Sequence, residues 1–295
     1  MSKKVITGAF LLLLAFVVIF SFVGTNRFYD RGQRNEPGQA IALIHIEGPI
    51  TGGASSKFLE ARAGSMSIME QLKSAREDND VKAVLLRINS PGGSAAASQE
   101  IAAEIDKIKE AGKVVVASMG DIAASGGYWI AARADKIMAN AATMTGSIGV
   151  IMQQTDLTKL YEKIGIDINV IKSGKYKDIG SSAREMSPEE REILQSMVND
   201  IFEQFVQVVA EGRNLPEDEV RKIADGRIFT GKQAKELGLV DRLGNFYDAV
   251  QFTADLAAIE GEPEIKVYTA PGPFGDFFNI FSLKGILKKN FVEIY

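Results

Sequence analysis

The sequence predicts an α/β fold, a mainly parallel sheet with helices packed on it. Short β-branched apolar runs alternate along the chain with segments whose apolar residues recur at helical spacing. Glycine-rich turns stand where a run passes into a helix, as in Asn89-Ser-Pro-Gly-Gly-Ser94. The chain has 295 residues, 46% hydrophobic and 24% charged, so neither disorder nor a coiled coil describes the whole of it.

Taken in order, Ile41–Ile46 reads as a strand ended by Gly48-Pro49, and residues 67–76 have helical spacing. Val81–Ile88 is the next strand. It runs into the turn 89–93, after which Ser94 caps a helix reaching about Glu110, with Ile101, Ile105 and Ile108 on one face. Residues 114–118 form another strand. Gly120 follows, then a helix through Trp129 and Ala132. Short strands are expected at 136–138, 149–152 and 168–171, with a helix near 157–164 between the last two. A long helix over about 188–211 starts from a Ser187 cap with Glu189 and Glu190 in its first turn. Further helices are expected near 216–224, 231–237 and 246–258. The body, about 39–270, reads as one domain with a helical extension.

The ends differ from the body. Lys3 and Lys4 precede an uncharged stretch, Val5–Gly24, whose 20 residues would span ~30 Å as a helix, the thickness of a bilayer core. Phe20-Ser-Phe-Val-Gly-Thr25 lacks the small-x-small pattern of a cleavage site, so residues 1–24 are expected to remain as a transmembrane anchor, with 25–38 a polar stalk. The large body would then lie on the extracytoplasmic side of a single-pass protein of the cell membrane. The tail from Pro271 to Tyr295 carries five Phe among Lys284, Lys288 and Lys289. It is expected to dock on the body, on the membrane surface, or near the functional site.

Composition also excludes chemistry. The formal net charge is −4, which argues against a dedicated nucleic-acid binder. There is no Cys, so disulfides, thiolate metal sites and Cys nucleophiles are out. With one histidine, His45, a multi-His metal site is excluded, and any Ser-His-Asp triad would have to use that residue. His45 alternates with Leu43 and Glu47 along the first strand and reads as structural. No metal or cofactor is implied.

Three glycine-rich segments carry the chemical signal. In 89–94, Gly92 and Gly93 let backbone approach a ligand and leave N–H groups facing it, which suits an oxyanion or a phosphate, although the segment lacks a P-loop ending; the alternative is a plain strand-to-helix turn. In Ala123-Ala-Ser125-Gly126-Gly127-Tyr-Trp129, Ser125 sits where strand becomes helix, with the Gly126 N–H beside it; the alternative is a serine that caps the helix. Thr145-Gly-Ser147-Ile-Gly149 reads as a small polar turn. A serine nucleophile needs a base. Lys172, Lys175 and Lys177 follow the run 168–171, and spacing alone does not choose among them.

These segments, together with Ser173-Gly-Lys-Tyr-Lys-Asp178 and Asp225-Gly-Arg-Ile-Phe-Thr-Gly231, occur in the order seen in the signal peptide peptidase A family of S49-type serine proteases. The resemblance covers about 40–260 and the anchor. It implies a fold like that of the Clp protease subunit and the crotonases, and a Ser/Lys dyad. Ser125 would be the nucleophile and Lys177 the general base, with Lys175 the less favoured choice. Gly126, with Gly92 or Gly93, would supply oxyanion N–H groups, and Ser147 would orient the lysine amine. A lysine base works unprotonated against an ordinary pKa of ~10.4, and bringing it to ~8 takes ~3 kcal/mol, which burial can supply. The resemblance further implies a membrane-anchored endopeptidase cutting extended apolar peptides, remnant signal peptides above all. The active form would be a homo-oligomeric ring of about eight protomers whose active sites are each shared by two chains. Two other readings keep the fold: an acyl-thioester enzyme of the crotonase kind, and a non-catalytic membrane scaffold.

Overall fold

The computed structural model describes residues 39–54 and 63–269. The expected anchor (1–24), stalk (25–38) and tail (271–295) lie outside the described residues. Among the described residues no helix is long and apolar enough to cross a membrane.

The central sheet runs β10-β1-β4-β5-β6-β9, with every neighbouring pair parallel. These strands are β1 (Ala40–Glu47), β4 (Val81–Ser90), β5 (Val114–Ala124), β6 (Lys136–Ala139), β9 (Arg242–Leu243) and β10 (Glu264–Tyr268). Two short strands, β2 (Ile50–Thr51) and β3 (Ala63–Gly64), pair apart from it. β4 is apolar almost throughout because both its faces are covered, as parallel strands require. Val84, Leu86 and Ile88 face a layer containing α1 (Ser65–Glu77), α2 (Ala95–Glu110) and α3 (Gly126–Ala132). Ala83 and Leu85 face α8 (Phe246–Leu256) through Ala249 and Phe252. The helix α2 begins as expected, with Ser94 Oγ accepting from the Ala97 N–H, and buries Ile101, Ile105 and Ile108.

The strand β5 changes partner part-way. Val116–Ser118 pairs with β6, and Ile122–Ala124 pairs with β7 (Met144–Gly146). Between them the register against β4 slips, from Ile88↔Met119 to Ser90↔Ala123. Asn89 pins the slip: its Oδ1 accepts from the N–H groups of Asp121 (3.1 Å) and Ile122 (3.2 Å). A side chain at Gly120 would press on Asn89, its Cβ only 3.1 Å from the amide. Thr143 and Thr145 donate to the carbonyls of Gly120 and Ala123, both at 2.7 Å, and hold β7 beside the displaced half of β5. β8 (Ile228–Thr230) then pairs antiparallel with β7 and closes that side.

Between them α4 (Thr158–Ile164), α5 (Pro188–Arg213), α6 (Glu217–Ile223) and α7 (Gly231–Glu236) complete the helices. α5 opens with the expected Ser187 cap, which forms a reciprocal capping box with Glu190. Two expected strands are absent. Residues 149–152 follow β7 without forming a strand, and Thr145 and Gly146, expected to open a turn over 145–149, belong to the strand β7. Residues 168–171 are β-branched but pair with no strand, and Ile171 is fully exposed. Residue type alone proposed those strands, whereas a ladder needs a neighbour in register.

Tyr128, fully buried in α3, donates from its hydroxyl to the Leu239 carbonyl at 2.9 Å. Tyr128→Phe should lower the unfolding free energy in urea by about 1–2 kcal/mol, the loss of one buried hydrogen bond. Unchanged stability would show that this bond does not anchor α3.

Candidate active site

Ser125 joins β5 to α3 with φ 52° and ψ −122°, a conformation that side-chain-bearing residues rarely adopt. Its N–H donates to the Gly146 carbonyl at 2.9 Å, and its own carbonyl accepts from the Trp129 N–H at 2.9 Å, so the backbone is held on both sides. The hydroxyl does not cap α3 and has no hydrogen-bond partner among the described residues. That separates it from Ser94, Ser187 and Thr230, whose hydroxyls all accept cap bonds. The strain therefore serves to present a free, half-buried hydroxyl, as a nucleophile elbow does.

The two turn glycines divide the work. Gly92 has φ 99°, and a Cβ there would lie 2.7 Å from the Gly126 nitrogen and 2.8 Å from Ser125 Cβ. Its N–H donates to Ser90 Oγ at 3.1 Å, and its carbonyl accepts from the Ile50 N–H at 2.8 Å. The Gly93 and Gly126 N–H groups have no acceptor among the described residues. Both residues border the cleft at Ser125, and a Cβ on Gly126 would come within 3.3 Å of the Gly93 nitrogen. Of the three glycines expected to offer oxyanion donors, Gly93 and Gly126 have free N–H groups, and Gly92 provides the room.

These groups open on one cleft of about 760 Å³, which also receives Ser147. Ser147 likewise has a positive φ, 50°, and its N–H is tied to the Arg227 carbonyl at 2.8 Å. The walls are apolar: Trp129 and Phe205, with ring centroids 4.8 Å apart, together with Ile201, Phe202, Val150 and Met152. Sequence reasoning did not single out the residues from α5; the signal for them is the shared helical face of 201, 202 and 205. Asp225 is the one charged residue in the lining, and Arg227 holds its carboxyl down at about 2.

No histidine or lysine lines this cleft. His45 is exposed on β1, with Nδ1 3.3 Å from Glu47, and does not border it. The three lysines of the 172–177 segment are not in its lining either, so within one chain the structure does not bring Lys177 to Ser125. The lysines are nonetheless told apart. Lys172 pairs with Asp178 and donates to the Lys175 carbonyl. Lys175 pairs with Glu189, and that hydrogen bond, with one it gives to Tyr176, pushes its pKa up. Lys177 is exposed, and its amine has no partner among the described residues. No group of three or more His, Asp or Glu among the described residues could hold a metal ion.

The arrangement suits acyl transfer: a strained serine, two convergent N–H donors, and an apolar cleft for an extended chain. Comparison with known proteins agrees. The family model for peptidase family S49 matches residues 107–260. The chain belongs to peptidase family S49. Its relatives include a putative protease of Synechocystis sp., 47% identical over 79% of this chain and 80% of the relative. Another is a putative signal peptide peptidase of Enterococcus faecium, 40% identical over 78% of this chain and 67% of that one. A putative protease of Methanocaldococcus jannaschii is 37% identical over 88% and 85%. The S49 protein is thus a serine peptidase with a parallel-sheet α/β fold.

Gly92→Ala should abolish labelling of this peptidase by a serine-reactive phosphonate, because the added methyl meets backbone at Ser125 and Gly126. Gly52→Ala, with nothing within 4 Å of the new Cβ, should label as wild type. Equal labelling of both variants would contradict the packing described.

Proposed function

We propose that this S49 peptidase is a membrane-anchored endopeptidase that uses Ser125 as nucleophile and Lys177 as general base. Its substrates are extended apolar peptides, in the first place signal peptides left in the membrane after release from their precursors. The observations that carry this reading are the free, strained Ser125 in an apolar cleft that holds no histidine or lysine, and Lys177, whose amine has no partner among the described residues. Residues 1–24 would tether the enzyme as a single-pass anchor, with 25–38 as stalk and the catalytic body extracytoplasmic.

In this reading the substrate backbone lies in the cleft as an added strand, its side chains against Trp129, Phe202 and Phe205. Ser125 Oγ attacks the scissile carbonyl and its proton passes to Lys177 Nζ. The carbonyl oxygen becomes an oxyanion and accepts from the Gly93 and Gly126 N–H groups. Lys177 returns the proton to the leaving amine, and the C–N bond breaks to give an acyl-enzyme. Water then attacks the ester, again with Lys177 as base, and Ser125 is released. The Ser147 hydroxyl, bordering the same cleft, would hold the lysine amine in line. Because Lys177 does not border its own chain's cleft, the dyad is formed with the Lys177 of a neighbouring protomer. Repeated head to tail, that contact closes as a ring of about eight chains, and the interface would supply the burial a neutral lysine needs.

Ser125→Ala and Lys177→Ala should each lower kcat/KM on a fluorogenic apolar peptide by roughly a thousandfold or more, and the double variant should be little worse. The rate should rise with pH from 6 to 9, because the proposed base works as a neutral amine and a lysine's neutral fraction grows with pH. Near-wild-type activity of Lys177→Ala, or a rate that falls above pH 7, would refute the dyad.

A further inference from the structure

The segment that carries Lys177 is built as consecutive turns. The Lys177 N–H donates to the Gly174 carbonyl, that of Ile179 to Tyr176 and that of Ser181 to Asp178, all at 3.0–3.1 Å. The next residue in the chain, Asp178, is a carboxylate within the sweep of a lysine side chain. Such a neighbour favours a charged amine and would oppose its use as a base. The structure shows this carboxylate fully engaged elsewhere. Asp178 Oδ2 accepts from Arg184 Nε at 2.9 Å, and Oδ1 accepts from Arg184 Nη2 at 2.9 Å and from Lys172 Nζ at 2.5 Å. The Asp178 side chain is only 12% exposed.

The acids at the start of α5, the helix next along the chain, are engaged in the same way. Glu190 accepts from Arg184 through both oxygens, and from the Ser187 N–H at 2.9 Å. Glu189 is taken by Lys175 and by the Tyr176 hydroxyl. Asp178, Glu189 and Glu190 are thus matched by Arg184, Lys172 and Lys175, and the amine left over is that of Lys177. Glu185 is the exception among the nearby acids: its side chain is exposed, and its backbone carbonyl accepts from Arg184.

We infer that Arg184, assisted by Lys172, is a positioning residue that sequesters the Asp178 carboxylate so that Lys177 can lose its proton. An arginine suits the task. Its planar fork grips both oxygens of Asp178 and reaches Glu190 at once, which one ammonium cannot do. It also stays charged across the pH range of the assay, so the clamp itself does not titrate there. The carboxyls of Asp178 and Glu190 are held well below their usual range by the guanidinium, so both remain anions that need a partner at working pH.

This inference rests on the reading of Lys177 as the base, and the experiment separates the two. The pH dependence of kcat/KM is measured for the full-length enzyme in detergent, with a fluorogenic apolar tripeptide amide as substrate. Arg184→Gln should move the rising limb to higher pH by about one unit, so that activity at pH 7 falls roughly tenfold while the alkaline plateau is kept. The double variant Arg184→Gln, Asp178→Asn should bring the limb back towards wild type, because the freed carboxylate is gone. Should Arg184→Gln misfold, Lys172→Gln keeps the arginine bonds and should move the limb the same way by less. A limb that stays in place in the folded variants, or a double variant that does not restore it, overturns the inference, even where Lys177→Ala is inactive and the dyad stands. An active Lys177→Ala overturns the dyad, and this inference with it.

Discussion

The site depends on a backbone constraint at the end of β5. Ser125 is held at φ 52° because the strand must stop pairing with β4, run on beside β7, and start α3 within one residue. Asn89 fixes the register slip that makes this possible, and the Ser125 N–H bond to Gly146 fixes the far side. Strain of this kind costs of order 1–3 kcal/mol and persists only where the surroundings over-determine it. Here they do: glycine at 92 leaves just enough room, and buried Tyr128 anchors the helix that follows. The outcome is a hydroxyl without a hydrogen-bond partner among the described residues, on the same cleft as two N–H groups that have no acceptor there.

The second constraint is protonic. A serine peptidase without a histidine in its cleft needs another base, and a lysine serves only when its charge is unsupported. Electrostatics in the 172–190 segment are arranged towards that end. Asp178, Glu189 and Glu190 are matched by Arg184, Lys172 and Lys175. The Lys175–Glu189 pair is exposed and contributes little to stability, whereas the Arg184 pairs to Asp178 and Glu190 are partly buried. Their placement decides which lysine is left uncommitted.

Much of this was legible in the sequence. The apolar runs of β1, β4 and β5 were readable because central parallel strands are covered on both faces. The caps of α2 and α5 were readable because Ser94, Ser187 and Glu190 bond locally. Ser125, Gly93 and Gly126 stood out as a strand-to-helix junction rich in glycine. Other features were not legible. Nothing in the order of residues says that Ser90 Oγ takes the Gly92 N–H and leaves that of Gly93 free. The β-branched run 168–171 looks like a strand, yet no partner in register reaches it. The short strands β7 and β8 exist because they pair with one another and with β5, a long-range fact that local composition does not carry. The ion pairs that set Lys172 and Lys175 apart from Lys177 join residues up to fourteen positions apart.

The account's central claim is that Ser125 of one chain works with Lys177 of the next. Its most direct measurement is peptidase activity after co-expression of Ser125→Ala and Lys177→Ala chains, each inactive alone. Random mixing in a closed ring leaves about one quarter of the interfaces with both native residues, so roughly a quarter of wild-type activity should return. Mixed assemblies that form but remain inactive would contradict the account and place both residues of each dyad in one chain.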